Sequence, residues 1–441
     1  MRVLIFFLLQ AYAFALAGMQ MPGGVRTDEA KYLLDIPYPH PPVMRWFFNA
    51  LAYSPDHEFL IRAFIATLLV QSVWFLFPCA EKCKIGSGLM VSLLWLFSSA
   101  LIVQGGTVMM SVLNAWQGLV LACCALHAPF GMPSASFASS RRPPFDFAHG
   151  LRQACAGRCE SNAFAGVVYS LVGLFWLFSL MTGYQAFLYL PLVVWIYHKS
   201  PLPLVQQILY VALPVLLLFL YSFANPLALV RMIGTAEKDI GLTVFERLSG
   251  FGRLWIVAGG GFLSFFGTWG ILRSKRWDLI GAFVLASVYI ILSRSDYYAL
   301  LLTPLLVAGC PFVPFLRAHS RVLLSAGIPV MLFYAYAHLP PLQQNDAREV
   351  GRLLCSGGGY GCGENYGLPF SRKPSLPRAL LVGPFGHEWQ YYLPFEIVKY
   401  SELLEDRSQE FVLCLAECPG ELKTERELVL ERPVEVWKKI R

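Results

Sequence analysis

The residues that could carry chemistry are gathered in one stretch, TDEAKYLLDIPYPHPPVMRW, at positions 27–46. Asp28 and Glu29 form an acidic pair, and a carboxylate can take the proton of an acceptor hydroxyl and so make that oxygen more nucleophilic. Neighbouring residues of a helix or an extended segment point in different directions, so only one of the two acids is expected to face a reacting centre. Because Thr27 followed by two acids is also a good helix start, helix capping is the alternative interpretation.

Prolines stiffen the second half of the same stretch, at positions 37, 39, 41 and 42. They restrict both their own backbone and that of the preceding residues. Such a segment can hold Tyr38 and His40 in fixed positions. The alternative is a simple turn that leads into an interfacial helix at 43–53.

The elements that must position these residues are membrane helices. The chain has 441 residues, of which 56% are hydrophobic and 14% are charged, whereas a soluble domain carries about 25% charged residues. The composition therefore indicates an integral membrane protein. The net charge of +7 does not indicate a nucleic-acid partner, because the basic residues lie in short loops between apolar runs and set the topology there. The first apolar run, with Arg2 and the pattern Ala13-Phe14-Ala15, also resembles a secretory signal peptide.

The apolar runs predict an all-α polytopic membrane protein with about eleven transmembrane helices. With a cytoplasmic N-terminus, the short loops on that side are all basic, as the positive-inside rule expects. The opposite face then receives the 22–58 loop, the 225–253 loop and the C-terminal tail. The predicted spans are 3–21, 59–77, 87–104, 107–126, 163–181, 184–197, 203–224, 254–272, 278–292, 297–316 and 322–339.

This topology divides the chain into a transmembrane domain, 1–340, and a small extracytoplasmic α/β domain, 341–441. The second domain is expected to pack on the first, because it is small for independent stability. Gly259-Gly260-Gly261 falls inside a predicted span and indicates close helix packing. The predicted elements of the small domain are strands at 378–383 and 410–416 and helices at 389–396 and 400–406.

The cysteines give only weak signals. On the outer face the sequence permits disulfides, for Cys355 with Cys362 and for Cys414 with Cys418. Two C-x-x-x-C pairs on the cytoplasmic side could build a zinc site, but their unusual spacing and wide separation favour unrelated thiols. Those pairs are Cys79 with Cys83 and Cys155 with Cys159. We predict no metal site and no certain cofactor; a divalent metal is compatible with the sequence but not indicated by it.

Basic residues on the predicted outer face are unexpected in a chain that otherwise follows the positive-inside rule. A phosphate group held at the membrane surface would account for them, and contact with lipid headgroups is the alternative for any one of them. They are Arg26, Lys31, Arg45, Arg62, Arg231, Lys238, Arg247, Arg253 and Arg294.

The pattern Asp28-Glu29, Ala30, Tyr32 and His40-Pro41-Pro42 resembles the first outer loop of the GT-C glycosyltransferases, in particular their protein O-mannosyltransferase and aminoarabinose-transferase branch. Weaker similarities to that branch follow in the same chain order. They are Thr182-Gly183-Tyr184, Ala224-Asn225-Pro226 and Arg294-Ser295-Asp296-Tyr297-Tyr298.

The resemblance implies an inverting membrane glycosyltransferase that uses a polyprenyl-phosphate sugar and an acceptor glycan, lipid or protein. Asp28 is the expected base, with Glu29 beside it in the catalytic pair. The expected ligands of the donor phosphate are His40, Arg45, Arg231 and Arg294, and the expected cleft residues are Tyr32, Tyr38, Tyr297 and Tyr298. The expected location is the bacterial inner membrane, with the site and the small domain on the periplasmic face.

Two other classes of function remain open at this point. One is a transporter or flippase of lipid-linked sugars, although such proteins usually contain paired structural repeats and none is visible here. The other is a non-catalytic membrane scaffold, which leaves the outward basic residues without a role.

Overall fold

The chain folds into a bundle of α-helices followed by a five-stranded sheet. The structure is a computed structural model, and it describes residues 2–25, 27–34, 41–44, 46–47, 57–82, 88–127, 160–224, 243–293, 298–338, 346–356, 378–382, 389, 392–393, 396–399, 411–415, 426–430 and 435–439.

Most helices follow the apolar segments of the sequence, whereas Thr27–Leu33 and Asp346–Ser356 are rich in charged residues. The helices are α1 Arg2–Gln20, α2 Thr27–Leu33, α3 His57–Gln71, α4 Val73–Lys82, α5 Gly88–Leu96, α6 Ser99–Gln104, α7 Met110–His127, α8 Glu160–Thr182, α9 Leu190–His198, α10 Leu204–Ala224, α11 Val244–Gly259, α12 Phe262–Ser274, α13 Trp277–Ser293, α14 Ala299–Gly309, α15 Pro314–Ala318, α16 Ser320–His338 and α17 Asp346–Ser356. A 3₁₀-helix, Tyr184–Tyr189, leads into α9.

Within the described residues, five helices are long and apolar enough to cross a membrane, and a bent pair makes a sixth if it counts as one span. Three shorter helices are also apolar: Val167–Thr182, Trp277–Ser293 and Ala299–Phe312. These are the features of an integral membrane protein, because a helix satisfies its own backbone groups in lipid. The number of spans, about eleven by the hydropathy pattern, stays a prediction.

Helix α14 is the centre of the bundle. Every residue from Ala299 to Gly309 is buried, and α7, α11, α12 and α13 all pack against this helix. Glycines allow α12 to approach closely, since a Cβ at Gly267 would lie 2.6 Å from the carbonyl oxygen of Leu306. Small residues at such contacts are typical of helix packing in membranes.

The glycine triplet packs closely, as predicted, since a Cβ at Gly260 would lie 2.6 Å from the Cα of Met331, and it also has a second role. Instead of lying within a continuous span, it breaks the helix, and α11 and α12 meet at a bend of 99°. Gly260 and Gly261 have φ angles of 61° and 76°, a region that favours glycine. The break is supported by side chains: Thr303 Oγ1 donates to the carbonyl of Ala258 at 2.9 Å, and Ser264 Oγ donates to that of Trp255. The triplet therefore forms a turn inside the bundle, and hydrogen bonds from Thr303 and Ser264 stabilise this turn.

The predicted 225–253 loop also needs correction at its end. Helix α11 begins at Val244, where Thr243 and Glu246 form a capping box. Each of these two residues satisfies a backbone group of the other at the start of the helix. Residues 225–242 lie outside the described part of the chain.

The C-terminal unit is a mixed sheet with the strand order β2-β1-β3-β5-β4. β1 pairs in parallel with β2 and β3, whereas β5 is antiparallel to β3 and β4. The strands are β1 Arg378–Val382, β2 Glu396–Lys399, β3 Phe411–Cys414, β4 Arg426–Leu430 and β5 Glu435–Lys439.

The sheet confirms the predicted strands at 378–383 and 410–416 and adds three more. Glu396 begins β2 rather than ending a helix, and the predicted helix at 400–406 lies outside the described residues. β4 and β5 are rich in charged residues, so their sequences carry little of the alternation that signals a strand. Cys414, at the end of β3, is disulfide-bonded.

Candidate functional site

Helix α2 carries the acidic pair and follows the first apolar helix after a short turn. Its inner face is apolar apart from one carboxylate: Ala30, Tyr32 and Leu33 are buried, and Glu29 is only 3% exposed. A buried carboxylate is costly unless it is paired and hydrogen-bonded. The partner of Glu29 therefore decides how α2 is held.

That partner is Arg62 of α3, whose side chain is 1% exposed. Its Nη1 and Nη2 donate to the two carboxylate oxygens of Glu29 at 2.8 and 3.1 Å, and its Nε donates to Glu58 Oε1 at 3.2 Å. Nη1 and Nη2 also donate to the carbonyls of Gly106 and Gly24, each at 2.9 Å. A guanidinium has five N–H donors, and these contacts use all five.

The two carboxylates around Arg62 have further partners. Glu29 Oε1 accepts the backbone N–H of Val108 at 2.7 Å, two residues before α7 begins. Glu58 Oε2 accepts the phenol O–H of Tyr392 at 3.2 Å. The phenol oxygen in turn accepts the N–H of Val25 at 2.6 Å. We call these residues, Val25, Glu29, Glu58, Arg62 and Tyr392, the Arg62 cluster.

The cluster gives Glu29, the second acid of the pair, a structural role. Both oxygens of Glu29 are engaged by strong donors, which stabilise its charged form and leave it poorly placed to accept a proton. Asp28 precedes it on α2, and successive helical positions lie about 100° apart around the axis. The structure does not describe the side chain of Asp28. Its role as base, and any catalytic share of Glu29, stay predictions.

The cluster also changes the expectation for one basic residue. Arg62 was among the outward basic residues that a phosphate could explain, but all of its donors are used inside the cluster. It therefore has no donor left for an external anion while the cluster is intact.

Only part of the predicted site falls within the described residues. Tyr32 is buried, at 3% exposure, and Tyr298 lies at the start of α14 at 9% exposure. The Tyr298 ring stacks edge-on against Tyr289, with 5.0 Å between centroids. The remaining predicted residues lie outside the described part: His40, Arg45, Arg231, Arg294, Tyr38 and Tyr297.

A second group of buried polar side chains, which the sequence did not reveal, lies beside the Arg62 cluster. We call Asn114, Gln117, Thr182, Gln185 and Tyr289 the polar seam. Asn114 Nδ2 donates to Gln117 Oε1 at 2.6 Å, and Gln117 Nε2 donates to Thr182 Oγ1 at 3.0 Å. Gln185 Nε2 donates to Tyr289 Oη at 3.1 Å, which brings the seam to Tyr298. The available signal was the presence of amide side chains inside apolar segments, since such residues are expensive in a membrane.

The seam lies at the same end of the bundle as the Arg62 cluster. The N–H of Leu300, near the start of α14, donates to Gln104 Oε1 at 3.2 Å, and Gly106, two residues after Gln104, accepts from Arg62. Asn114 Oδ1 and Gln185 Oε1 are buried, and no hydrogen-bond donor reaches either of them from the described part of the chain. Both lie close to Gly183, where an added Cβ would be 2.5 and 2.8 Å from them. This end of the bundle thus combines a saturated ion cluster with uncharged amides and hydroxyls.

Metal ligation fits the described residues poorly. Glu29 and Glu58 are committed to Arg62, and no group of three or more His, Cys, Asp or Glu side chains converges within the described part of the chain. Cys79 directs its thiol to the carbonyl of Cys123 at 3.7 Å. The other three cysteines of the two C-x-x-x-C pairs, Cys83, Cys155 and Cys159, lie outside the described residues.

Comparison with known proteins supports the fold. No family model and no curated protein matches the sequence. The structure is similar to the crystal structure of an oligosaccharyltransferase from Archaeoglobus fulgidus, solved with zinc and sulfate, at a TM-score of 0.50 and 11% identity. The match covers 93% of this chain and 67% of that chain. The likeness concerns the fold alone.

Proposed function

We propose that this protein is a membrane glycosyltransferase that moves a sugar from a polyprenyl-phosphate donor to an acceptor hydroxyl, with inversion at the anomeric carbon. The observation that carries the proposal is the anchoring of the acidic helix α2 by Arg62 and Glu29, directly after the first apolar helix. The likeness of the fold to the archaeal oligosaccharyltransferase supports it, and so does the resemblance of the first-loop sequence to GT-C glycosyltransferases.

In the proposed chemistry the two acids of the pair have different roles. Asp28 accepts the proton of the acceptor hydroxyl as its oxygen forms a bond to the anomeric carbon. The bond from that carbon to the donor phosphate breaks, and the lipid phosphate leaves with the electron pair. Glu29 holds α2 through Arg62 and so positions its neighbour, since small displacements of a base are expensive in rate.

The leaving phosphate needs positive charge as its own charge develops. His40, Arg45, Arg231 and Arg294 are the proposed ligands, from their positions at the outer ends of the predicted spans. Tyr32, Tyr38, Tyr297 and Tyr298 are the proposed residues of the cleft. A sugar is uncharged and rich in hydroxyls, and the acceptors at Asn114 and Gln185 would suit such a ligand.

The proposed location is the inner membrane of a bacterium, with α2 on the periplasmic face. Tyr392 contacts both Val25 and Glu58, which supports a location of the C-terminal unit on the same side of the membrane as α2. The disulfide at Cys414 favours an oxidising compartment for that unit. The charge of the predicted loops agrees with this orientation.

The test compares lipids and glycans by mass spectrometry in cells that produce the parent protein or Asp28→Asn. The variant keeps the size and capping ability of the residue and removes the base. We expect product formation to fall about a hundredfold or more, the scale of general base catalysis, with the lipid-linked sugar accumulating.

The matched control is Asp346→Asn, which alters an exposed acid in the first turn of α17. It should leave the products unchanged. Near-parent product levels in Asp28→Asn would refute the assignment. Movement of lipid-linked sugar across vesicles without any transfer to an acceptor would instead identify a flippase.

A further inference from the structure

The five described residues between α1 and α2, 21–25, are held from two directions. On the bundle side, Arg62 Nη2 donates to the carbonyl of Gly24 at 2.9 Å. On the side of the C-terminal unit, Arg348 of α17 donates to the carbonyl of Met21. The N–H of Val25 donates to the phenol oxygen of Tyr392 at 2.6 Å. The segment that leads into α2 is thus held by Arg62, 38 positions from Gly24, and by two residues far away in the sequence. Arg348 and Tyr392 lie 327 and 367 positions from Met21 and Val25.

Tyr392 links this segment to the charged residues of the Arg62 cluster. Its side chain is buried at 1% exposure, and its O–H donates to Glu58 Oε2 at 3.2 Å. Glu58 in turn accepts from Arg62 Nε. Burial raises the pKa of the Tyr392 phenol, so it stays protonated and remains a donor at neutral pH. Each side-chain oxygen of Tyr392 and Glu58 therefore has a defined partner in the cluster.

Tyr392 and Arg348 belong to one packed unit. Gly351 of α17 lies against the backbone of Tyr392, because a Cβ at Gly351 would be 2.6 Å from the Tyr392 carbonyl oxygen. Ala347, Val350 and Leu354 are buried on α17. The contacts to Met21 and Val25 therefore come from two parts of the C-terminal unit that pack against each other, α17 and Tyr392.

We infer that the C-terminal unit positions the acidic helix, with Tyr392 as the positioning residue. The phenol satisfies a buried N–H of the segment that leads into α2, and it orients the carboxylate of Glu58, which shares Arg62 with Glu29. The expected effect of Tyr392 on sugar transfer rests on the proposed function. Its expected effect on the conformational order of residues 21–34 does not.

The experiment uses the full-length protein in lipid nanodiscs. Hydrogen exchange of peptides that cover residues 21–34 is measured for the parent and for Tyr392→Phe, which keeps the ring and removes the hydroxyl. We expect exchange in these peptides to accelerate about tenfold, the scale of one lost buried hydrogen bond. The matched control is Tyr336→Phe, which alters a tyrosine of α16 that is 78% exposed, and it should change nothing there.

Unchanged exchange at 21–34 in Tyr392→Phe would overturn the inference, whatever the protein's activity. If Tyr392→Phe fails to fold, Arg348→Gln replaces it, since it removes a different contact to the same segment and should accelerate exchange in the same peptides. Unchanged exchange in that variant would count equally against the inference.

Assays of sugar transfer then distinguish a positioning role of Tyr392 from a role in binding the lipid donor. A positioning role predicts that kcat falls in Tyr392→Phe while the KM for the lipid donor stays constant. A raised KM with unchanged kcat would show that Tyr392 serves donor binding instead, and would overturn the positioning role. If no variant and no parent sample transfers sugar, the proposed function fails while the exchange result still stands.

Discussion

Arg62 and Glu29 form a bidentate ion pair inside the bundle, with Nη1–Oε1 and Nη2–Oε2 distances of 2.8 and 3.1 Å. Both side chains are almost fully buried, at 1% and 4% exposure. Removing two charges from water is expensive, so such a pair contributes to geometry more reliably than to stability. Here the geometry in question is the placement of α2 against α3 and α7.

The first prediction follows from that pair. Arg62→Met leaves Glu29 and Glu58 buried without their shared cation, so the free energy of unfolding should fall by about 3–5 kcal/mol. Glu29→Gln should also destabilise, and the double variant Arg62→Met with Glu29→Gln should be less destabilised than the sum of the two. The measurement is thermal unfolding of the purified proteins in detergent.

A surface pair provides the control. Arg352 also bonds a carboxylate, Glu349, but its side chain is 66% exposed. Arg352→Met should therefore change stability by less than about 1 kcal/mol. Equal losses for Arg62→Met and Arg352→Met would mean that burial of the Arg62 pair has no energetic consequence.

The second prediction concerns the donor phosphate. Alanine at His40, Arg45, Arg231 or Arg294 should weaken binding of a polyprenyl phosphate by about 1.5–3 kcal/mol where the residue is a true ligand. Arg→Lys should recover only part of the loss, because lysine lacks the planar fork. The measurement is direct binding to each variant, with Arg273→Ala on the opposite side of the predicted membrane as the control. If all four variants bind as the parent does, Lys31, Lys238 or Arg247 become the better candidates.

The third prediction concerns the bend between α11 and α12. Gly260 has a positive φ, and a Cβ there would lie 2.6 Å from the Cα of Met331. Gly260→Ala should therefore lower the thermal midpoint by several degrees, through backbone strain and a clash with α16.

Gly252→Ala is the matched variant on the same helix, where an added Cβ meets nothing within 4 Å. Alanine in a helix is favoured over glycine by about 0.5–1 kcal/mol, so this variant should be neutral or slightly stabilising. Equal midpoints for the two variants would show that the bend tolerates a side chain.

The fourth prediction concerns topology. With other accessible thiols removed, a membrane-impermeant thiol reagent added outside the cell should label Arg352→Cys, on α17, and leave Arg273→Cys, at the end of α12, unlabelled. Both positions are exposed, so accessibility differs only by the side of the membrane. Labelling of Arg273→Cys alone would place the C-terminal unit in the cytoplasm and reverse the predicted orientation.

The apolar segments could be predicted from the sequence because hydropathy is a local property. Each predicted span corresponds to helix in the described residues, and the strands at Arg378–Val382 and Phe411–Cys414 were also visible as short apolar runs. The bend at Gly260 was not visible, since a glycine in an apolar run suits close packing and a helix break equally well. Thr303 and Ser264, which complete the break, lie outside the triplet itself.

The sequence by itself determined that an acidic pair follows the first apolar helix, because residue order and composition are enough for that. Only the tertiary structure decided that Glu29 is bound on both oxygens, since its partner Arg62 comes from α3 and its partner Val108 from the segment before α7. The same holds for Tyr392, whose partner Val25 is 367 positions away. Charge and hydropathy can be evaluated from short stretches of sequence. A saturated hydrogen-bond network depends instead on which distant groups the fold brings within about 3 Å of each other.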